Sequence, residues 1–247
     1  MRPVEAPAAQ PMFGPDHAGV YELIYRSRGK DCAAEARDVA DRIRRLRPGA
    51  RSLLDVGCGT GLHLEAFRTL FDQVEGLEVA PAMRERALRR LPGVTIHPDD
   101  MRSFQLGRTF DAVVSLSAVG YVDTVEELRA AIARMADHLV PGGVLVVEPW
   151  WLADKYVDRY VGSDHVRDGD RVLARVSHTE RRDGAAHMEA RWVVGDRTGL
   201  RSFALTEAFR LFSREDYMDA FERAGCAARY EEPWLTGRGL FAGVRRR

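Results

Sequence analysis

Residues 52–71, SLLDVGCGTGLHLEAFRTLF, run from an apolar strand through a glycine-rich turn into a helix that carries Leu64, Phe67 and Phe71 on one face. In an open α/β sheet such a turn lies beyond the carboxyl ends of the strands, where backbone N–H groups and a helix N-terminus point at a ligand. Asp55, Gly57, Gly59 and Thr60 occupy it. Glycines lack a Cβ and let the backbone approach an adenosyl group closely. Glu78, about 20 residues on at the end of the next strand, is placed to accept from two ribose hydroxyls. A dinucleotide fingerprint would need Gly or Ala at position 62, where this chain has Leu62, so a nicotinamide cofactor is disfavoured.

Outward from this turn the chain alternates strands and helices. Strands are expected at Val74 to Val79, Val94 to His97 and Phe110 to Leu116, and helices at Pro81 to Leu91 and Thr124 to Leu139. Pro-Gly-Gly then leads into the apolar run VLVVEP. That alternation implies a parallel sheet covered by helices. Upstream, Asp16 to Ser27 and Asp31 to Leu46 have helical spacing, stopped by Pro48 and Gly49. Between Trp150 and Phe212 the pattern changes to three strands, VLARVSHTE, AHMEARWVV and RSFALTEAFRLF, separated by the turns RRDGA and GDRTG.

The fold class is therefore α/β, a doubly wound Rossmann-like seven-stranded sheet with an antiparallel β insertion after the fifth strand. The expected organisation is a mobile N-terminal tail over 1–15, a core formed by 16–150 and 213–247 with a helical lid at 16–46, and an insertion at 151–212 for substrate binding or dimerisation.

Composition narrows the partners. Lys+Arg and Asp+Glu both total 37, so the chain lacks the electrostatic footprint of a nucleic-acid binder. No apolar run approaches the ~20 residues of a membrane helix, and MRPVEAPAAQP lacks the apolar core of a secretory signal. Cys32, Cys58 and Cys226 are scattered without a paired spacing, which supports neither a disulfide framework nor a structural zinc site and fits a reducing compartment. No metal is expected, and the chain is expected to be cytoplasmic.

DVGCGTG at 55–61 and GLEVAPAM at 76–83 resemble the first two motifs of the class I S-adenosylmethionine-dependent methyltransferases, whose fold adds an antiparallel final strand to a doubly wound sheet. The resemblance implies S-adenosyl-L-methionine as cofactor, with Glu78 and Val79 at the ribose and adenine, Asp100 accepting from the adenine amine, Met101 packing on the ring, and Leu116 nearby.

A narrower resemblance rests on YRSRGKDCAAEA (25–36), DDMRSF (99–104), VVEPWW (146–151), RVSH (175–178) and GRGLFAGV (237–244). Together these look like the TDP-amino-sugar N-methyltransferases, including the N,N-dimethyltransferases of TDP-3-amino-hexoses, which finish dimethylamino sugars of macrolide-type natural products. The resemblance implies that the lead helices fold over the cofactor, with Tyr21 and Lys30 touching it, and that the chain is a homodimer. Trp150 and Trp151 would stack on a thymine or sugar face, or else pack the insertion on the core. Arg238 between two glycines would meet a diphosphate, since a guanidinium matches phosphate oxygens bidentately. Arg175 and Ser177 share one face of a strand and His178 points to the other, and all three are expected at nucleotide or sugar.

At the family's Tyr and His positions near the reacting nitrogen this chain has Phe13 and Tyr121. Phe13 carries no proton, and Tyr121, with an ordinary pKa of about 10, suits orienting the amine better than deprotonating it. Tyr121 and Glu148 are the expected catalytic residues, with the proton leaving to water and His17 or His178 as less favoured bases. An O-methyltransferase of a sugar or polyketide hydroxyl, a macromolecule-directed methyltransferase and a non-catalytic S-adenosylmethionine-binding protein are the alternatives.

Overall fold

The structure, a computed structural model, describes residues 9–10 and 13–246, the first pair by backbone only. In chain order the elements are β1 (Ala9–Gln10), α1 (Pro15–Ser27), α2 (Cys32–Leu46), β2 (Ser52–Val56), α3 (Leu62–Phe67), β3 (Gln73–Leu77), α4 (Pro81–Arg90) and β4 (Ile96–His97). There follow β5 (Phe110–Leu116), a 3₁₀ turn at Val119–Tyr121, α5 (Val125–Asp137), β6 (Leu139–Glu148) and the long strands β7 (Tyr160–Asp168), β8 (Arg171–Arg182), β9 (Ala185–Asp196) and β10 (Gly199–Arg210). The last elements are α6 (Arg214–Arg223), β11 (Cys226–Glu231) and β12 (Leu240–Arg245). They group into two compact units, Met1–Lys30 with Val157–Phe209 and Asp31–Tyr156 with Arg210–Arg247.

The second unit is a seven-stranded sheet in the order β11-β12-β6-β5-β2-β3-β4. Strands β2 to β6 run parallel, and β12 is antiparallel to both β6 and β11. Successive residues of its central strands face opposite layers. Leu54, Val113, Leu145 and Val147 pack with Leu128, Ile132 and Met135 of α5 and Tyr217 and Phe221 of α6. Leu53, Val114, Val144 and Val146 pack with Val39 and Ile43 of α2 and with Phe67 and Phe71. Both faces being covered, these strands are continuous apolar runs, each buried Leu or Val worth about 1.5–3 kcal/mol.

Polar caps set the helix starts. Asp31 accepts from Ala34 N, Thr124 from Glu127 N, and Ser213 and Asp216 form a reciprocal capping box. Pro-Gly-Gly, expected to lead into the apolar run VLVVEP, lies inside β6, at an irregularity in the pairing of β6 with β5 between Phe110 and Ala112.

The first unit is a five-stranded sheet in the order β1-β10-β9-β8-β7. The insertion thus has four long strands where three were expected. YVGSDHVRD escaped the sequence reading because it is an edge strand with little apolar alternation, mostly exposed along its length. Val20 and Ile24 of α1 pack on Leu173, Trp192, Val194, Phe203 and Leu205 of this sheet. The expected lid at 16–46 therefore divides, α1 going with the antiparallel sheet and α2 with the parallel one. The periodicity of α1 was legible, but an apolar face does not name the surface it will cover. Most of the expected tail, residues 1–8 and 11–12, lies outside the described residues. Within that stretch Ala9–Gln10 pairs in parallel with Ala204–Leu205 and α1 begins at Pro15.

Candidate active site

Because β2, β3, β5 and β6 are parallel neighbours, their carboxyl ends share one edge of the sheet. That edge presents Asp55 with the glycine turn, Glu78, Leu116 with Ser117, and Glu148. Gly57 has φ 74° and Gly59 φ 58°. A Cβ on Gly57 would lie 2.5 Å from Ala118 Cβ, whereas one on Gly59 would meet only Met83 Cε at 3.7 Å. The N–H groups of Gly57 and Cys58 donate to Leu77 O at 2.8 and 3.1 Å, which ties the turn to β3.

Glu78 braces the same turn. Its Oε2 accepts from Gly59 N at 2.8 Å and its Oε1 from Ala80 N at 2.7 Å. Burial pushes its pKa up, against the pull of those two N–H groups. Next to it Val79 is 59% exposed, an apolar side chain at the rim. Met101 reaches the turn from the segment that follows β4, its Cε 3.8 Å from the position a Gly57 Cβ would take. Asp100 is bound by its neighbour: Arg102 donates to Oδ1 from N and Nε and to Oδ2 from Nη2, at 2.8, 2.9 and 2.6 Å. Arg102 also holds the Asp100 pKa below the ordinary carboxylate value. A carboxylate has about four acceptor directions, so room is left for one further donor such as the expected adenine amine.

Asp55 and Thr60 are buried, and Asp55 Oδ2 and Thr60 Oγ1 have no hydrogen-bond partner among the described residues. Burial lifts the Asp55 pKa to about 7, with His63 pulling it down and Glu78 pushing it up. An acid raised above its unfolded value of about 4 stabilises the fold while protonated. That contribution is fully present below about pH 4 and is lost as pH rises through 7. We expect Asp55→Asn to flatten the fall in melting temperature between pH 5 and 8 relative to wild type. Identical slopes in a thermal-shift series would show that Asp55 titrates normally.

Glu148, expected to touch the substrate amine, has no accessible surface. Its Oε1 accepts from Thr236 Oγ1 at 2.6 Å and its Oε2 from Ser117 Oγ. Both carboxylate oxygens are thus engaged by hydroxyls of the protein itself. Ser117, with φ 59°, also accepts from Arg238 Nη1 at 2.9 Å. The guanidinium of Arg238 lies 5.2 Å from the ring centroid of Trp151. Gly239 makes room for the neighbouring Tyr230, whose hydroxyl donates to Arg238 O at 3.1 Å. Trp150 packs with Tyr156 at 6.1 Å, and Tyr121 is half-buried in the 3₁₀ turn. Ser117 and Thr236 were missed from sequence because they meet Glu148 across 31 and 88 residues with no local motif to mark them.

Cys32, Glu35 and His63 bring their ligand atoms within 4.8 Å of one another, a convergence their sequence spacing did not reveal. Glu35 Oε2 and His63 Nε2 are 2.7 Å apart, a hydrogen bond that braces α2 against the start of α3.

In the first unit Phe13 has φ 55° and stacks on His17 at 5.4 Å, with Tyr21 edge-on at 6.2 Å. Tyr21 packs on Tyr25 at 4.6 Å and Lys30 lies over the Tyr25 ring at 5.8 Å. Arg175 and Ser177 are buried on the face that α1 covers, and His178 is on the other, as the alternation required. Asp164 takes a bidentate pair from Arg28, at 2.8 and 2.7 Å, and Nη1 of Arg175 at 3.1 Å. A cavity of about 390 Å³ is lined by His178, Glu180, His187, Met188, Thr206 and Glu207. Burial lifts the Glu207 pKa to about 7, opposed by Arg175. His17, 3.9 Å from Glu207, is pushed down to about 4 by burial and by Arg175. His17 is therefore neutral near pH 7.

Comparison with known proteins shows the family. The family described as "Methyltransferase domain" matches residues 53–143. The dTDP-3-amino-3,4,6-trideoxy-alpha-D-glucopyranose N,N-dimethyltransferase of Streptomyces venezuelae is 50% identical over 94% of this chain and 99% of its own length. The dTDP-4-amino-2,3,4,6-tetradeoxy-D-glucose N,N-dimethyltransferase of Saccharopolyspora spinosa is 45% identical over 95% and 94%. Among solved structures, an amino pentose methyltransferase of calicheamicin biosynthesis from Micromonospora echinaspora, with S-adenosylmethionine bound, is 56% identical. It superposes with a TM-score of 0.86 over 92% of this chain and 96% of that one.

Proposed function

The chain belongs to the TDP-amino-sugar N-methyltransferases, a family of class I S-adenosylmethionine-dependent enzymes, and from that premise we propose that it methylates the amino group of a TDP-linked amino-deoxysugar in natural-product biosynthesis. The observation that carries the reading is the 50% identity to a dimethyltransferase over 99% of that enzyme's length.

The residues fit the cofactor. The orphaned Asp55 Oδ2 and Thr60 Oγ1 offer buried polar atoms in search of partners, and Gly57 and Gly59 leave the backbone bare beside them. Asp55, Gly57, Gly59, Thr60, Glu78, Val79, Asp100, Met101 and Leu116 would hold it. S-adenosylmethionine supplies an electrophilic methyl group on a sulfonium.

Substitution at carbon by an amine is accelerated chiefly by holding the nitrogen lone pair in line and excluding water, so a strong base is not obligatory. Tyr121 orients the amine and the proton leaves to water. Arg238 takes the diphosphate, and Trp150 and Trp151 contribute to nucleotide and sugar binding. Trp151 does so as the platform under Arg238.

The same reading includes a cytoplasmic homodimer. Support for the dimer is the open face of the antiparallel sheet, where Val161, Val176 and Val193 are 64%, 56% and 45% exposed. Among the described residues no helix is long and apolar enough to cross a membrane.

Relatives acting on 3-amino and 4-amino sugars differ little in identity to this chain, at 50% and 45%, so ring position is decided by assay. Incubation with S-adenosylmethionine and a panel of TDP-3-amino and TDP-4-amino deoxyhexoses and a nucleotide-linked amino pentose is expected to add one or two methyl groups to one isomer, read by mass spectrometry. Tight cofactor binding with no product from any of them would sink the substrate assignment.

A further inference from the structure

Glu148 ends β6 beneath the surface, and the groups around it form a directed chain. An ionised carboxylate only accepts hydrogen bonds, and a serine hydroxyl has one proton to give. The Ser117 proton is therefore committed to Glu148 Oε2, and only lone pairs remain to face Arg238 Nη1, 2.9 Å away. Thr236 is committed likewise to Oε1 at 2.6 Å, and its oxygen lies 3.4 Å from the backbone N–H of Arg238. The carboxylate thus sets the polarity of both hydroxyls, and both turn acceptors toward the same arginine. Ser117 adopts φ 59° to do this, a conformation that a residue with a side chain keeps only where its surroundings over-determine it.

We propose that Glu148 is a positioning residue that fixes Arg238, through Ser117 and Thr236, as a preformed diphosphate receptor. The inference rests on the nucleotide-sugar reading above. An arginine side chain loses much rotamer freedom when it is ordered, and ordering it before the ligand arrives removes that cost from binding. Trp151 flanks the guanidinium from one side and Ser117 takes one of its N–H groups. A guanidinium has five N–H donors, so the remaining ones are available for phosphate oxygens. The buried charge of Glu148 is balanced, one hydroxyl away, by the charge it orients.

The test is titration of TDP alone into the full chain and into Ser117→Ala, Glu148→Gln and Arg238→Ala, with S-adenosylhomocysteine titrated in parallel. Loss of a hydrogen bond to a charged group predicts about tenfold weaker TDP binding for Ser117→Ala. Arg238→Ala should lose at least as much. Glu148→Gln places a donor where one hydroxyl needs an acceptor, and should weaken TDP several-fold. S-adenosylhomocysteine binding should stay within twofold, and with an accepted sugar KM should rise while kcat holds. A general structural role would lower cofactor binding and kcat together and overturn the inference. Wild-type TDP affinity in Ser117→Ala and Glu148→Gln, with Arg238→Ala weakened, would overturn the inference alone. A wild-type protein that does not bind TDP would overturn the nucleotide-sugar reading and the inference with it.

Discussion

Gly57→Ala is expected to cripple cofactor binding, lowering affinity for S-adenosylmethionine by at least about 30-fold, from two costs that add. Gly57 has φ 74°, where an L side chain costs about 1–2 kcal/mol. The new methyl would also stand 2.5 Å from Ala118 Cβ, an atom fixed to the backbone that has no rotamer to move into. Relieving such a contact by shifting backbone typically costs a further 1–3 kcal/mol, roughly. The turn must then move, and with it the N–H groups that Leu77 O holds. Gly59→Ala is the internal control, because its φ is also positive but its Cβ would find only Met83 Cε at 3.7 Å. It should lose about tenfold, the cost of the left-handed conformation alone. Isothermal titration settles the pair, and a Gly57→Ala protein that binds within threefold of wild type would show that the turn does not carry the cofactor.

Asp164→Ala should destabilise the first unit by about 3–5 kcal/mol, the cost of leaving a buried charge without its partner. The side chains of Asp164 and Arg175 are 6% and 7% exposed, whereas that of Arg28 is 45% exposed. Arg28 makes the stronger, bidentate contact but is half-exposed and partly screened by salt, whereas Arg175 is the buried cation that would be left without its partner. Burial alone would push the Asp164 pKa up, but Arg28 and Arg175 outweigh it and hold the pKa below the ordinary value. A depressed acid contributes stability above its unfolded pKa and loses it as pH falls through the folded one. The wild-type advantage over Asp164→Ala should thus be full at neutral pH, shrink under acid conditions and persist in 1 M salt. Loss of hydrogen-exchange protection across β7, β8 and β9 is the readout. A change under about 1 kcal/mol would mean that Arg175 finds another partner.

The parallel sheet and the glycine turn were legible because their signals are local: an apolar run, three glycines in five residues, and an acid at the end of the next strand. Glu78 ends up beside the turn, where the structure has it bracing Gly59 and Ala80. Arg175, Ser177 and His178 were assigned to the correct faces by alternation alone. Strand β7 was lost because an edge strand with Gly162, Ser163 and Asp164 at its centre has no apolar period to detect. The enclosure of Glu148 was lost for a different reason. Its partners are set by which strand ends become neighbours, and that order is a property of the sheet rather than of any window of sequence.

The position of β12 between β6 and β11 has a consequence for biosynthesis. Until residues 240–245 have left the ribosome, the edge of β6 has no partner on that side. Helix α1 waits as well, since Val20 and Ile24 emerge about 150 to 180 residues before Leu173 and Leu205, roughly ten to forty seconds of translation. Each unit joins an early segment to a late one, so the first cannot finish before Phe209 is made and the second cannot finish before β12 is made. The nascent protein must carry an uncovered helix and an open sheet edge through most of the synthesis of these residues.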